Sequence, residues 1–154
     1  MSANLLIRDT GIFHDDEPVF WHAGAMATPA PAPQYRTITP YLVVPDGDAE
    51  LRFLKEALGG TEAAVHRHED GSIMHAEVRV GDSLVMLGQS GPGIAPRLAA
   101  IYLWVDDVDA TYARALTTGA TSERAPEDMP YGHRTAGVID TNGITWWIGS
   151  PVKG

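Results

Sequence analysis

Cysteine is absent from the 154 residues, which removes disulfides, thiolate metal sites and cysteine nucleophiles from the available chemistry. Metal ligation is left to His, Asp, Glu and water. Basic residues are scarce: 11 Lys and Arg stand against 20 Asp and Glu, for a formal net charge of −9. That charge repels phosphate backbones and anionic membrane surfaces at long range, so neither nucleic acid nor membrane is an expected partner. A cationic or neutral small-molecule ligand suits it better. No apolar run approaches the roughly 18 residues of a membrane-spanning helix, and Arg8, Asp9 and the acidic residues from Asp15 to Glu17 interrupt any signal-peptide core. The expected location is cytoplasmic. What is present is the composition of one globular domain, 44% hydrophobic and 20% charged, with 16 Gly and 11 Pro to make many turns.

Residues 1–36 read as an N-terminal extension. Within it GAMATPAPAPQ, residues 24–34, has no hydrophobic periodicity and reads as an extended Ala/Pro linker. Met26 is a candidate alternative start. The segment from His14 to Glu17, with His22, carries ligand chemistry in no recognised spacing and reads as an acidic surface.

Two modules follow, at about 37–91 and 98–150. In the first, TITPYLVV is a strand and PDGDAELRFLKEALGG a helix, with Leu51, Leu54 and Leu58 at helical spacing. Asp46 or Asp48 can cap its start, and Gly59 or Gly60 its end. EAAVHRH, SIMHAEVRV and SLVMLGQ complete a βαβββ order through turns at Glu69-Asp70-Gly71 and Gly81-Asp82. The second module repeats this order. Tyr41-Leu42-Val43-Val44 matches Tyr102-Leu103-Trp104-Val105 at a separation of 61 residues, which also carries Asp48-Ala49 to Asp109-Ala110. A duplicated unit is the economical explanation.

Strand alternation assigns faces. The helix must cover the aliphatic face with Leu42, Val44, Val85 and Leu87. Thr39, Tyr41, Leu84 and Met86 then lie on the opposite face. A two-residue Gly81-Asp82 turn pairs Glu77 with Met86 and His75 with Gly88, adding His75 and Glu77 to that face. The separation of 61 places Ala100, Tyr102, Trp104, Arg134, Thr145 and Trp147 on the equivalent face of the second module.

These motifs, TPYLVV, DGSIMHAEVRVGDSLVML, YLWVDDVDATYARALTTGA and GHRTAGVIDTNGITWWI among them, resemble the vicinal oxygen chelate superfamily. Glyoxalase I, bleomycin-resistance proteins and extradiol dioxygenases belong to it, and the PhnB-like, glyoxalase-like branch is the nearest match. The resemblance runs from Thr37 to Ser150. It implies an α+β fold in which two tandem βαβββ modules form curled mixed sheets around a shared cavity, commonly in a homodimer. Many members hold a divalent metal there with His or Glu from four strand positions. Carried over, those positions are Thr39, Met86, Ala100 and Trp147, none of which supplies a metal ligand.

The leading expectation is therefore a metal-free cavity, without a cofactor, binding an aromatic or cationic metabolite or antibiotic. Its ligand-binding residues would be Thr39, Tyr41, Met86, Tyr102, Trp104 and Trp147. The enzyme alternative is a lyase or isomerase in which His75 or Glu77 moves a proton and Arg134 steadies an oxyanion, with or without a displaced metal. His75 beside Glu77 would shift both titrations toward neutrality. The bland alternative makes the same three residues a satisfied polar network. His66 and His68 read as solvated residues on an edge strand.

Overall fold

The computed structural model describes residues 35–36 and 38–152. The Ala/Pro linker, Met26 and the His14 to Glu17 segment with His22 lie outside the described residues.

Each module follows the anticipated order. The first runs β1 (Tyr41–Val44), α1 (Gly47–Glu56), β2 (Thr61–Arg67), β3 (Ile73–Val80) and β4 (Ser83–Gln89). The second runs β5 (Ala100–Trp104), α2 (Val108–Thr117), β6 (Thr121–Asp128), β7 (His133–Ile139) and β8 (Thr145–Pro151). Two four-stranded sheets result, ordered β1-β4-β3-β2 and β5-β8-β7-β6. Only β1 with β4 and β5 with β8 pair in parallel, as a strand-helix crossover requires. The sheets are mixed, the fold is α+β, and neither sheet closes into a barrel.

The helices are punctuated alike. Asp46 accepts a hydrogen bond from Ala49 N and Asp107 one from Ala110 N, both at 2.9 Å. These satisfy backbone donors that a helix leaves open in its first turn. Gly59 and Gly119 follow the helices with φ of +71° and +106°, where a Cβ would be strained.

The helix-facing sides of both sheets share one core, in which Leu42, Val44, Leu54 and Leu87 meet Trp146 and Ile148. Burying each such aliphatic side chain is worth about 1.5–3 kcal/mol. The face assignment of Leu42, Val44, Val85 and Leu87 is correct. Leu84 pairs with Arg79 on the opposite face, as assigned, and is 2% exposed where it lines the cavity between the modules.

One polar junction ties the modules together. Asn142, in the β7–β8 turn, reaches α1, where its Oδ1 accepts from Asp46 N at 2.9 Å. Its Nδ2 donates to Asp46 O at 2.9 Å and to Glu50 Oε2 at 3.0 Å. Asp140 organises the turn, accepting from Asn142 N, Ile144 N and Trp146 Nε1. Glu50 has no solvent exposure. Burial, and then the neighbouring Asp140 carboxylate, push its carboxyl up to about 8.

Candidate functional site

The residues anticipated for one site fall on two sheet faces. On the first, Tyr41 stacks on His75 with ring centres 6.2 Å apart, and His66 lies 6.4 Å from the same imidazole. The expected register holds, with Glu77 opposite Met86. Glu77 Oε1 accepts from Tyr35 Oη at 2.7 Å and lies 3.2 Å from His75 Nε2. Burial raises this carboxyl, but the Tyr35 and His75 hydrogen bonds and the nearby imidazoles outweigh it and leave it below its usual range. The expectation that Glu77 moves toward neutrality is thereby reversed, because Tyr35 adds a donor to the ionised form. Thr39 does not join this group; its hydroxyl donates to Arg36 O at 3.0 Å.

On the second face Tyr102 and Trp104 pack with ring centres 5.1 Å apart, and His133 meets Trp104 edge-on at 4.9 Å. Tyr131 adds a fourth ring, 5.3 Å from His133. Trp147 lies against Gly137, and the Arg124 guanidinium sits 5.2 Å from its ring centre. Burial raises the Tyr102 phenol above its ordinary range, with a further contribution from Tyr131.

Arg134 is a correction. Register pairs Gly137 with Trp147 and Thr135 with Gly149, so His133, Thr135 and Gly137 share the open face. Arg134 therefore points to the helix side. There Nε and Nη2 grip Asp109 of α2 at 2.6 and 2.7 Å, and Nη1 reaches Asp128 at 2.9 Å. It lines a smaller cavity of about 350 Å³ beside Asp106 and Asp128. His133, Tyr131 and Arg124 were missed by sequence reasoning; alternation counted back from Trp147 reaches His133 only once the length of the β7–β8 turn is known.

Between the modules lies a cavity of about 610 Å³, bounded by the Gly81-Asp82 turn and the first turn of α2. Leu84, Tyr102 and Trp104 form apolar walls, while Asp82, Asp107 and Arg114 supply polar edges. Arg114 is held by donating to Ala57 O at 3.2 Å and to Thr111 Oγ1 at 2.9 Å. Of the anticipated ligand-binding residues, Tyr102 and Trp104 reach this cavity; Thr39, Tyr41 and Met86 stay with the first module, and Trp147 stands elsewhere on the second sheet.

The donor chemistry does not fit the metal that the fold suggests. Thr39, Met86, Ala100 and Trp147 offer a hydroxyl, a thioether, a methyl and an indole, and hard or borderline cations need imidazole, carboxylate or several oxygens. Among the described residues no three His, Asp or Glu side chains are arranged to hold a metal ion.

Comparison with known proteins agrees with this architecture. A sequence model described as the Glyoxalase/Bleomycin resistance protein/Dioxygenase superfamily matches residues 35–148. An uncharacterized protein of Mycobacterium bovis is 33% identical over 127 residues, covering 75% of this chain and 84% of the relative. The crystal structure of TioX from Micromonospora sp. ML1 is similar in fold, with a TM-score of 0.65 at 24% identity, covering 75% of this chain and 98% of TioX. TnmS3, described as an antibiotic binding protein from Streptomyces sp. CB03234, gives a TM-score of 0.59 at 25% identity, covering 76% of this chain and 99% of TnmS3.

Proposed function

The chain belongs to the glyoxalase/bleomycin resistance protein/dioxygenase superfamily, and from that premise we propose that it binds a small molecule with an aromatic body, cationic or neutral, in a metal-free cavity. The observation that carries this reading is the cavity of about 610 Å³ walled by Leu84, Tyr102 and Trp104. Its volume and apolar lining are those of a small-molecule site, and paired aromatic rings favour a flat ligand. Asp82, Asp106 and Asp107 outnumber Arg36 and Arg114 at its edge, which with the net charge of −9 favours a cation over an anion. Similarity to the antibiotic binding protein TnmS3 supports the same class of ligand, a metabolite or an antibiotic.

Proton transfer by Glu77 and His75 receives less support. A general base works best with a pKa near the working pH, and Glu77 is held below its ordinary range. Arg134, the proposed oxyanion partner, is engaged by Asp109 and Asp128 on the helix side of the sheet. We also propose a homodimer, since Tyr41, Tyr102 and Trp104 remain 52%, 45% and 56% exposed in one chain. Light scattering after size exclusion reads this directly.

The test is calorimetric titration with planar aromatic compounds, cationic and neutral, alongside the metal content of freshly purified protein. Binding is expected for some members, with at least about a tenfold loss in Trp104→Ala. No binding by any member, or a stoichiometric divalent metal at purification, would overturn the reading.

A further inference from the structure

The duplicated fold has two equivalent junctions, one plugged by a side chain and the other open. At the plugged one, Asp46 starts α1 and its carbonyl accepts from Glu50 N at 3.1 Å. The Asn142 carboxamide completes that first turn: its oxygen takes the Asp46 N–H, and its nitrogen reaches Asp46 O and Glu50. An amide group is thus bound by a helix start through one acceptor and one donor atom.

The other junction has the same backbone without the plug. Asp107 starts α2 as Asp46 starts α1, and its carbonyl accepts from Thr111 N at 3.2 Å. Thr111, 3% exposed, stands where Glu50 stands. The β3–β4 turn facing it has two residues against five in the β7–β8 turn, and presents Gly81, with no side chain, in the place of Asn142. What fills the Asn142 position here is the cavity of about 610 Å³, which Gly81, Asp107 and Thr111 all line.

We propose that this cavity recognises a primary carboxamide on its aromatic ligand, seated on Asp107 and Thr111 as Asn142 is seated on Asp46 and Glu50. The inference rests on the binding function proposed above and names the polar group that the ligand carries. The ligand carbonyl accepts from Asp107 N–H, and its NH₂ donates to Asp107 O and Thr111 Oγ1. Arg114 Nη2 already donates to that hydroxyl, fixing an acceptor lone pair beside the socket. The aromatic body then lies against Leu84, Tyr102 and Trp104. An ester has no donor, and a carboxylate has none and also meets Asp107 and Asp82, so both leave the socket unsatisfied.

The experiment titrates 2-naphthamide, 2-naphthoate and methyl 2-naphthoate into the full chain by calorimetry, and follows the Asp107 backbone amide by NMR. The amide is expected to bind about tenfold or more tightly than the other two, and to shift the Asp107 resonance. Gly81→Asn supplies the missing plug at a φ of +59°, which Asn tolerates better than other side chains. This variant should lose the amide preference and melt higher. Trp104→Ala should weaken all three compounds together. Equal binding of the three by the wild-type chain would overturn the carboxamide socket while leaving the aromatic cavity standing. No binding of any of the three, with Asp107 unmoved, would overturn the socket, and failure of the wider aromatic panel would then remove the cavity reading itself.

Discussion

The ring of Tyr102 lies across Gly149, so close that a methyl group at position 149 would collide with the phenol. The first module repeats the arrangement, with the Tyr41 hydroxyl over Gly88. In each sheet a first-strand tyrosine leans over a bare stretch of the last strand. Only glycine lets the ring lie flat there. Gly149→Ala is therefore expected to destabilise by about 1–3 kcal/mol through overpacking and to swing Tyr102 away from the cavity. Denaturant melts read the first effect. The second appears as lost affinity for any aromatic compound that binds the wild-type chain.

Glu50 makes stability fall with rising pH between the ordinary carboxyl value of 4.5 and about 8. Its carboxyl is raised to about 8 in the folded chain, against 4.5 ordinarily. The native state therefore keeps a proton that the unfolded state has released. The contribution is complete below the ordinary carboxyl range, wanes as pH rises, and is gone once pH passes about 8. Urea melts should lose up to about 1.4 kcal/mol per pH unit in that window and then level off. Glu50→Gln, which keeps an acceptor for Asn142, should flatten the profile; an unchanged slope would place the titration elsewhere.

Glu77 acts in the opposite sense. Its folded pKa is depressed, so its stabilisation is present above the ordinary carboxyl range and lost as pH falls through the folded value. Tyr35→Phe removes the 2.7 Å donor and should raise the Glu77 pKa. Carboxyl-carbon NMR checks this, and a pKa unmoved by the substitution would mean that Tyr35 does not hold the carboxylate in solution.

Removing Asn142 should cost more than a surface substitution. Asn142→Ala deletes three hydrogen bonds and leaves Glu50 without its donor, an expected loss of about 2–4 kcal/mol. Chemical denaturation measures it, and a loss below about 0.5 kcal/mol would show that the turn does not anchor α1.

Arg134→Ala should leave ligand binding unchanged, because the guanidinium faces Asp109 and Asp128 on the helix side. The pairs are partly exposed, so the expected stability cost is about 1 kcal/mol or less. A large loss of affinity would return Arg134 to the site.

The duplication, the element order, the capping aspartates and the aliphatic core were all legible in the amino-acid sequence. These depend on local chemistry: alternation in Leu42 and Val44, helical spacing in Leu51 and Leu54, side-chain oxygens at Asp46 and Asp107. The chemistry of the four strand positions, Thr39 and Met86 among them, was equally readable, because donor atoms belong to residue types. Arg134 and His133 were not, since one residue in a turn reverses every side chain that precedes it along the strand. Nor could the sequence show that Tyr35 touches Glu77, 42 residues away, or that Asn142 reaches Glu50, 92 residues away. Such pairings arise only when two modules pack, and burial and proximity, which tune carboxyls and open cavities, are properties of that packing. The sequence determined the elements and the chemistry they carry; the tertiary structure decided which of those groups meet, and left one junction filled by Asn142 and its twin hollow.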